Sequence, residues 1–220
     1  MIITISGDSG TGTTTLARKL SSTLELPYFY AGSIFRSIAD ERKIRLLDFI
    51  DQPGYDMSID RQVDAEMITI MSTESRAIVE GRLSGYLAWR HKIPSFRILL
   101  TASPTIQAQR IAHREQQPLE LALAEVTERD RLDWQRYKVI YGIEKQTSHQ
   151  WYQLILDTDT MDIDAVYQAC FQAIQQITDT TRGKKPRHKE NLEQERSLSY
   201  LLHAILSLRL RLIITTHLSS

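Results

Sequence analysis

Cysteine is nearly absent. Cys170 is the one thiol in 220 residues, so no disulfide can form within the chain. That suits a reducing compartment, and a cytoplasmic location is expected. Long apolar runs are missing too. The most apolar stretch, Ser197 to Thr216, is broken by Arg209 and Arg211 and falls short of the roughly 18–20 residues that a membrane span needs. No transmembrane segment is expected. Charge of one sign is not in excess: Lys plus Arg and Asp plus Glu each number 27. Nothing global therefore points to nucleic acid or to a membrane surface. The six histidines are scattered, with no pair at helical ligand spacing. That argues against a metal site built from protein ligands alone. The N-terminal residues Met1–Ile5 carry no basic leader and no small-residue cleavage site, so no signal peptide is expected.

What is present alternates between two periods. Short apolar runs at Ile2–Ser6, Tyr28–Ala31, Ala77–Glu80, Phe96–Thr101 and Leu154–Asp157 predict strands. Helical spacing fills Thr14–Leu24, Ser103–Glu115, Leu119–Tyr141 and Asp162–Ile177. Alternating strand and helix predicts an α/β domain with a parallel sheet covered on both faces. Its site should lie at the carboxyl ends of the strands. Ser33–Ser75 breaks the rhythm and reads as a helical insert. The arginine-rich Leu119–Tyr141 reads as a helix projecting over the site. From residue 179 on the chain is polar, then apolar, with 8 Lys plus Arg against 4 acids. This 179–220 tail is expected to be disordered or a loosely packed helix. An interfacial helix is the alternative.

Gly7-Asp8-Ser9-Gly10-Thr11-Gly12-Thr13-Thr14-Thr15 follows the first strand and opens a helix. Glycines let consecutive N–H groups turn inward onto phosphate oxygens, and the helix N-terminus adds partial positive charge. The pattern is that of a phosphate loop, with Thr14 where a hydroxyl normally meets Mg²⁺. One position departs from it: Thr13 stands where lysine is usual. Threonine offers only a hydroxyl, so another cation must face the outer phosphates.

Candidate cations follow the later strands. Arg36 lies after the second strand. Glu80-Gly81-Arg82 follows the third, with Glu80 placed to hold Mg²⁺, directly or through water, and Arg82 to hold a phosphate. Arg110, Arg114, Arg129, Arg131 and Arg136 lie in the arginine-rich helical region. Arg110 and Arg114 share one helix face; Arg129, Asp133 and Arg136 share another. Guanidinium groups converging on one point are what two neighbouring polyanions require.

Four motifs in order, the Gly7–Thr15 loop, Ala31-Gly32-Ser33-Ile34-Phe35-Arg36, Glu80-Gly81-Arg82-Leu83 and the Arg129, Asp133, Arg136 helix face, resemble the archaeal-type cytidylate kinases over about residues 1–178. Threonine in place of the loop lysine is common in that branch. The resemblance implies a P-loop NTPase-type fold: a five-stranded parallel sheet, an NMP-binding insert (33–75) and a lid (about 110–141). It implies phosphoryl transfer from ATP, with Mg²⁺, to CMP or dCMP. Gly7–Thr15 would hold ATP. Arg36 and Arg82 would grip the acceptor phosphate. Arg129 and Asp133 would contact its sugar, and Arg136 its phosphate. Arg110 and Arg114 would meet the transferring group. Two positions differ from the bacterial enzymes: Leu83 stands where they carry an aspartate, and Phe35 where they often carry tyrosine. Asp60, Arg61 and Asp64 in the insert are the candidates for reading the base. A kinase for another nucleotide or a small metabolite, or a nucleotide-binding module without turnover, are the alternatives. A monomer is expected.

The remaining aromatic and acidic residues have plainer readings. Trp134, Tyr137 and Tyr141 are expected to pack the lid helix, Trp151 and Tyr152 to anchor the fifth strand, and Asp157 and Asp159 to cap the last helix. Cys170 is expected in the core.

Overall fold

In the computed structural model, residues 1–41, 57–143 and 149–181 are described. The chain divides into two compact units, Met1–Ile174 and Gln175–Ser220. The expected tail falls mostly outside the described residues.

Five strands form one sheet: β1 (Ile2–Ser6), β2 (Tyr28–Tyr30), β3 (Ala77–Glu80), β4 (Ser95–Thr101) and β5 (Leu154–Asp157). Their order is β2-β3-β1-β4-β5, and every pairing is parallel. β1 lies in the middle, buried along its whole length. A strand covered on both faces has no reason to alternate, which is why Ile2-Ile3-Thr4-Ile5 reads as a continuous run. Ile5 pairs with Glu80 and Ser6 with Leu99. The register therefore sets the ends of β1, β3 and β4 at one edge.

The helices are α1 (Thr13–Leu24), α2 (Ala31–Glu41), α3 (Ser58–Thr73), α4 (Ser84–Arg90), α5 (Pro104–Glu115), α6 (Leu119–Tyr141) and α7 (Ile163–Thr181), the last of which continues past Ile174, where the first unit ends. α1 buries Leu16, Ala17 and Leu20, the face that its periodicity predicts. α3 buries Ile59, Val63, Met67 and Met71, a stripe at four-residue spacing. Ser103 caps α5 by accepting from the Ile106 amide, and Pro104 occupies its first turn. Ala122 and Val126 of α6 pack on Ala108 and Ile111 of α5.

Some details differ from the sequence reading, and the fourth strand begins at Ser95 rather than Phe96. The second strand stops at Tyr30, because Ala31 already opens α2; Ser33 Oγ donates to the Tyr30 carbonyl at 2.7 Å. Helix α4 was not anticipated. It is short and buried from Ser84 to Ala88, so it shows no amphipathic period. Gly85 allows its close approach: a Cβ there would lie 2.3 Å from a ring carbon of Tyr152.

Candidate active site

The loop between β1 and α1 curls as its glycines suggest. Gly10 has φ +83°, and a Cβ on it would lie 2.8 Å from the Gln107 backbone. A side chain would be both strained and crowded there. Thr11 Oγ1 donates to the Asp8 carbonyl at 2.8 Å and closes the turn. Gly12, at φ 96°, is the N-cap of α1. The whole loop, Gly7 to Thr15, lines one cavity of about 830 Å³.

Glu80, at the end of β3, is 8% exposed and faces the start of α1. Its Oε1 accepts from Thr13 Oγ1 at 2.9 Å and from Thr14 Oγ1 at 2.7 Å. Its Oε2 accepts from the Tyr28 hydroxyl. Thr13 therefore spends its hydroxyl on Glu80. A hydroxyl and a carboxylate at the loop's mouth are hard oxygen donors of the kind that Mg²⁺ takes, so Thr14 and Glu80 fit that ion.

Arg82 sits two residues beyond Glu80 and is enclosed by acids. Its Nη1 lies 2.9 Å from Asp8 Oδ1 and 2.7 Å from Asp130 Oδ1, and its Nε lies 2.9 Å from Asp133 Oδ2. Nη2 donates to Ser9 Oγ at 3.0 Å. Burial works against the guanidinium's charge. Asp133, Tyr137, Asp8 and Asp130 outweigh it, and the pKa of Arg82 rises. The same burial pushes the Asp8 carboxyl up to about 6, with Arg82 pulling it down and Asp130 and Asp133 pushing it further up.

Helix α6 supplies the rest of this wall. Asp133 is shared: beyond Arg82, it accepts from Arg136 Nη2 one turn on. Arg136 Nε is 3.6 Å from Asp60 Oδ2 on α3. Arg129 is exposed and lines the same cavity. Arg110, from α5, is turned toward the loop. It donates to the Gly10 carbonyl at 3.1 Å, to Thr158 Oγ1 at 2.9 Å and to the Thr158 carbonyl at 2.6 Å. Arg114 lines the cavity but pairs with Glu115 at 2.7 Å on an exposed surface. Arg131 is not among the lining residues and pairs with Glu128. The side chain of Arg36 lies outside the described residues, although its backbone belongs to α2.

Of the three candidates for reading the base, Asp60 and Asp64 line the cavity, and Arg61 is exposed and does not. Tyr137 lines it as well. Burial among Asp133, Asp64 and Asp60 raises its hydroxyl pKa well above the usual value, though Arg82 opposes this. Tyr141 packs with Tyr86, edge to face at 5.6 Å. Trp151 and Tyr152 are buried in the core beside α4, and Cys170 is buried.

The expected caps of the last helix need correction. Asp159 Oδ1 accepts from the Ser103 amide at 2.6 Å, and Asp157 Oδ1 from the Asp159 amide at 2.9 Å. The residue that caps α7 is Asp162, which accepts from the Ala165 amide at 2.7 Å. Only Asp162, immediately before Ile163, is within reach of that first turn.

Sequence reasoning missed Tyr28, Asp130 and Thr158. Thr158 directly follows β5, so its place at a strand's carboxyl end could have singled it out. Tyr28 could not be found that way, because it begins its strand rather than ends it.

The cytidylate kinase-like family matches residues 2–160. A cytidylate kinase from Methanosphaera stadtmanae is 35% identical over 165 residues, 75% of this chain and 92% of that protein. One from Methanothermobacter thermautotrophicus is 36% identical over 165 residues, 75% of this chain and 99% of that protein. The crystal structure of a gluconokinase from Sinorhizobium meliloti superposes with a TM-score of 0.55 at 12% identity, covering 82% of this chain and 94% of that one. At that identity the likeness concerns the fold. From family match, relatives and fold together, the chain belongs to the cytidylate kinase-like family, and with it to the kinases built on a phosphate loop.

Proposed function

We propose that the chain is a nucleoside monophosphate kinase that transfers the γ-phosphoryl group of ATP to CMP or dCMP, giving ADP and CDP or dCDP. The observation that carries this is a single cavity in which the loop Gly7–Thr15, Glu80, Arg82 and the Arg129–Asp133–Arg136 face of α6 meet.

In this reading the loop amides and Arg110 hold the ATP phosphates. Thr14 and Glu80 hold Mg²⁺. When bound, that ion neutralises charge on the transferring group. Arg82 and Arg136, with Arg36 from α2, hold the acceptor phosphate, and Arg129 and Asp133 its sugar. Arg114, which lines the same cavity, meets the transferring group with Arg110. Residues 33–75 act as the acceptor-binding insert and about 110–141 as the lid.

A nucleotide phosphate is already anionic, so the chemistry needs position and positive charge rather than a strong base. That matters here. Glu80 already accepts from Tyr28, Thr13 and Thr14, which leaves it poorly placed to take a proton from an alcohol. A phosphate acceptor is favoured over a sugar or other alcohol for that reason. The lining residues among those described come from one chain, which supports action as a monomer on small nucleotides; no nucleic acid or membrane partner belongs to this reading. Among the described residues no helix is long and apolar enough to cross a membrane. A cytoplasmic location fits this reading and is part of the same proposal.

The test is a coupled steady-state assay with ATP and Mg²⁺ across CMP, dCMP, UMP, AMP and a set of small alcohols. Turnover with CMP or dCMP well above the others is the expected result. Turnover with no pyrimidine monophosphate would end the proposal.

A further inference from the structure

The carboxylates on the acceptor side of the cavity differ in what they hold. Asp133 lies between Arg82 and Arg136. Asp60 faces Arg136. Asp64, one turn further along α3, faces neither. Its Oδ2 accepts from the Tyr141 hydroxyl at 2.5 Å, and among the described residues no cation comes within ion-pair distance of it. Burial dominates its surroundings; the Tyr141 hydrogen bond opposes this only in part, and the charge of Asp60 adds to it, so the carboxyl is pushed up to about 7.

A half-buried acid without a cation is costly unless something donates to it. Tyr141 supplies one donor and leaves Oδ1 open. The neighbouring walls of the cavity are apolar: Val63 and Met67 from α3, Leu83 from the start of α4, and Phe35 from α2. A flat ring fits such walls, with its polar edge toward the Asp64 carboxyl beside them. Arg61 lies outside the cavity and is no rival.

We propose that Asp64, held by Tyr141, is the specificity-determining residue that accepts a hydrogen bond from the exocyclic amino group of the acceptor's base. The inference rests on the reading of the chain as a pyrimidine monophosphate kinase. Once ionised, above about pH 7, the Asp64 carboxylate only accepts, and the comparison of bases is made there. Cytosine offers N–H donors at its 4-position, where uracil offers a carbonyl oxygen. Asp64 therefore gains a charge-assisted hydrogen bond with cytosine and sets lone pair against lone pair with uracil. A site built to pair one polar group rejects the analogue that lacks it.

The experiment compares kcat/KM for CMP, dCMP, UMP and dUMP in the parent enzyme, D64N and Y141F. D64N keeps the shape and can still accept from Tyr141, but its amide can also donate to a carbonyl. The parent should favour CMP over UMP. In D64N that ratio should fall about tenfold or more, with the KM for ATP unchanged. Y141F keeps the carboxylate and loses its orientation, so its ratio should fall by less. Equal losses with CMP and UMP in D64N, with the ratio kept, would overturn the inference and assign Asp64 to the sugar or to the framework. A parent enzyme that works on CMP and UMP alike would overturn it too, and would leave the kinase reading standing. A parent enzyme inactive with all four would instead remove the functional reading on which the inference rests.

Discussion

Asp8 of the phosphate loop and Arg82 beyond the third strand form an ion pair, with Asp8 Oδ1 2.9 Å from Arg82 Nη1. The proposed ATP loop and the proposed acceptor-phosphate arginine are thus joined directly. An incoming phosphate must share or displace those contacts.

This pair makes a prediction about pH. Asp8 holds its proton more tightly when folded than the ordinary carboxylate value of 3.8, at about 6. Below 3.8 it is neutral both folded and unfolded, and no penalty applies. As pH rises from about 4 to 6, the unfolded chain releases the proton first, so the folded state loses stability relative to it. D8N removes that penalty. Its unfolding free energy relative to the parent should rise between pH 4 and pH 7, on the order of 1–2 kcal/mol. Urea titrations at the two pH values measure this; a difference that stays flat or falls would refute it.

The two arginine clusters should separate kinetically. Arg136 binds Asp133 and lies near Asp60, on the acceptor side. Arg110 binds Gly10 and Thr158, on the loop side. R136A should raise the KM for CMP about ten- to a hundredfold and leave that for ATP near the parent value. R110A should do the reverse. Initial-rate measurements with each substrate varied in turn decide it, and parallel changes in both constants for either variant would break the assignment.

Packing under the site gives a third expectation. A Cβ at Gly85 would lie 2.3 Å from Tyr152 Cε1 and 3.2 Å from Ser6 Oγ, and the Gly85 amide donates to that same oxygen at 3.0 Å. G85A should destabilise the enzyme by about 1–3 kcal/mol. Denaturant unfolding is the check, and a change under about 0.5 kcal/mol would show that the ring of Tyr152 moves aside freely.

Much of this was legible in the sequence, because it is local. The phosphate loop declares itself through consecutive glycines and threonines after a buried strand, and Ile2–Ser6, Ala77–Glu80 and Leu154–Asp157 read as strands residue for residue. Leu119–Tyr141 likewise reads as one helix from end to end. What did not show depends on tertiary approach. The ties of Arg82 to Asp8 and Asp130 span 74 and 48 residues of sequence, and no spacing rule reaches that far. The donation of Tyr28 to Glu80 needs β2 beside β3. Asp64 could be named but not chosen over Asp60 until its partner, Tyr141, was seen 77 residues away.

Helix α6 bears Arg129, Asp130, Asp133, Arg136 and Tyr141 on 23 uninterrupted residues, a rod roughly 35 Å long. Such a rod cannot retune one contact in isolation. An insertion of a single residue would rotate every later side chain by about 100° and misdirect the proposed sugar, phosphate and base contacts together. Directed changes of substrate preference should therefore spare this lever and be sought on α3, where Asp64 can be exchanged while the guanidinium groups keep their aim.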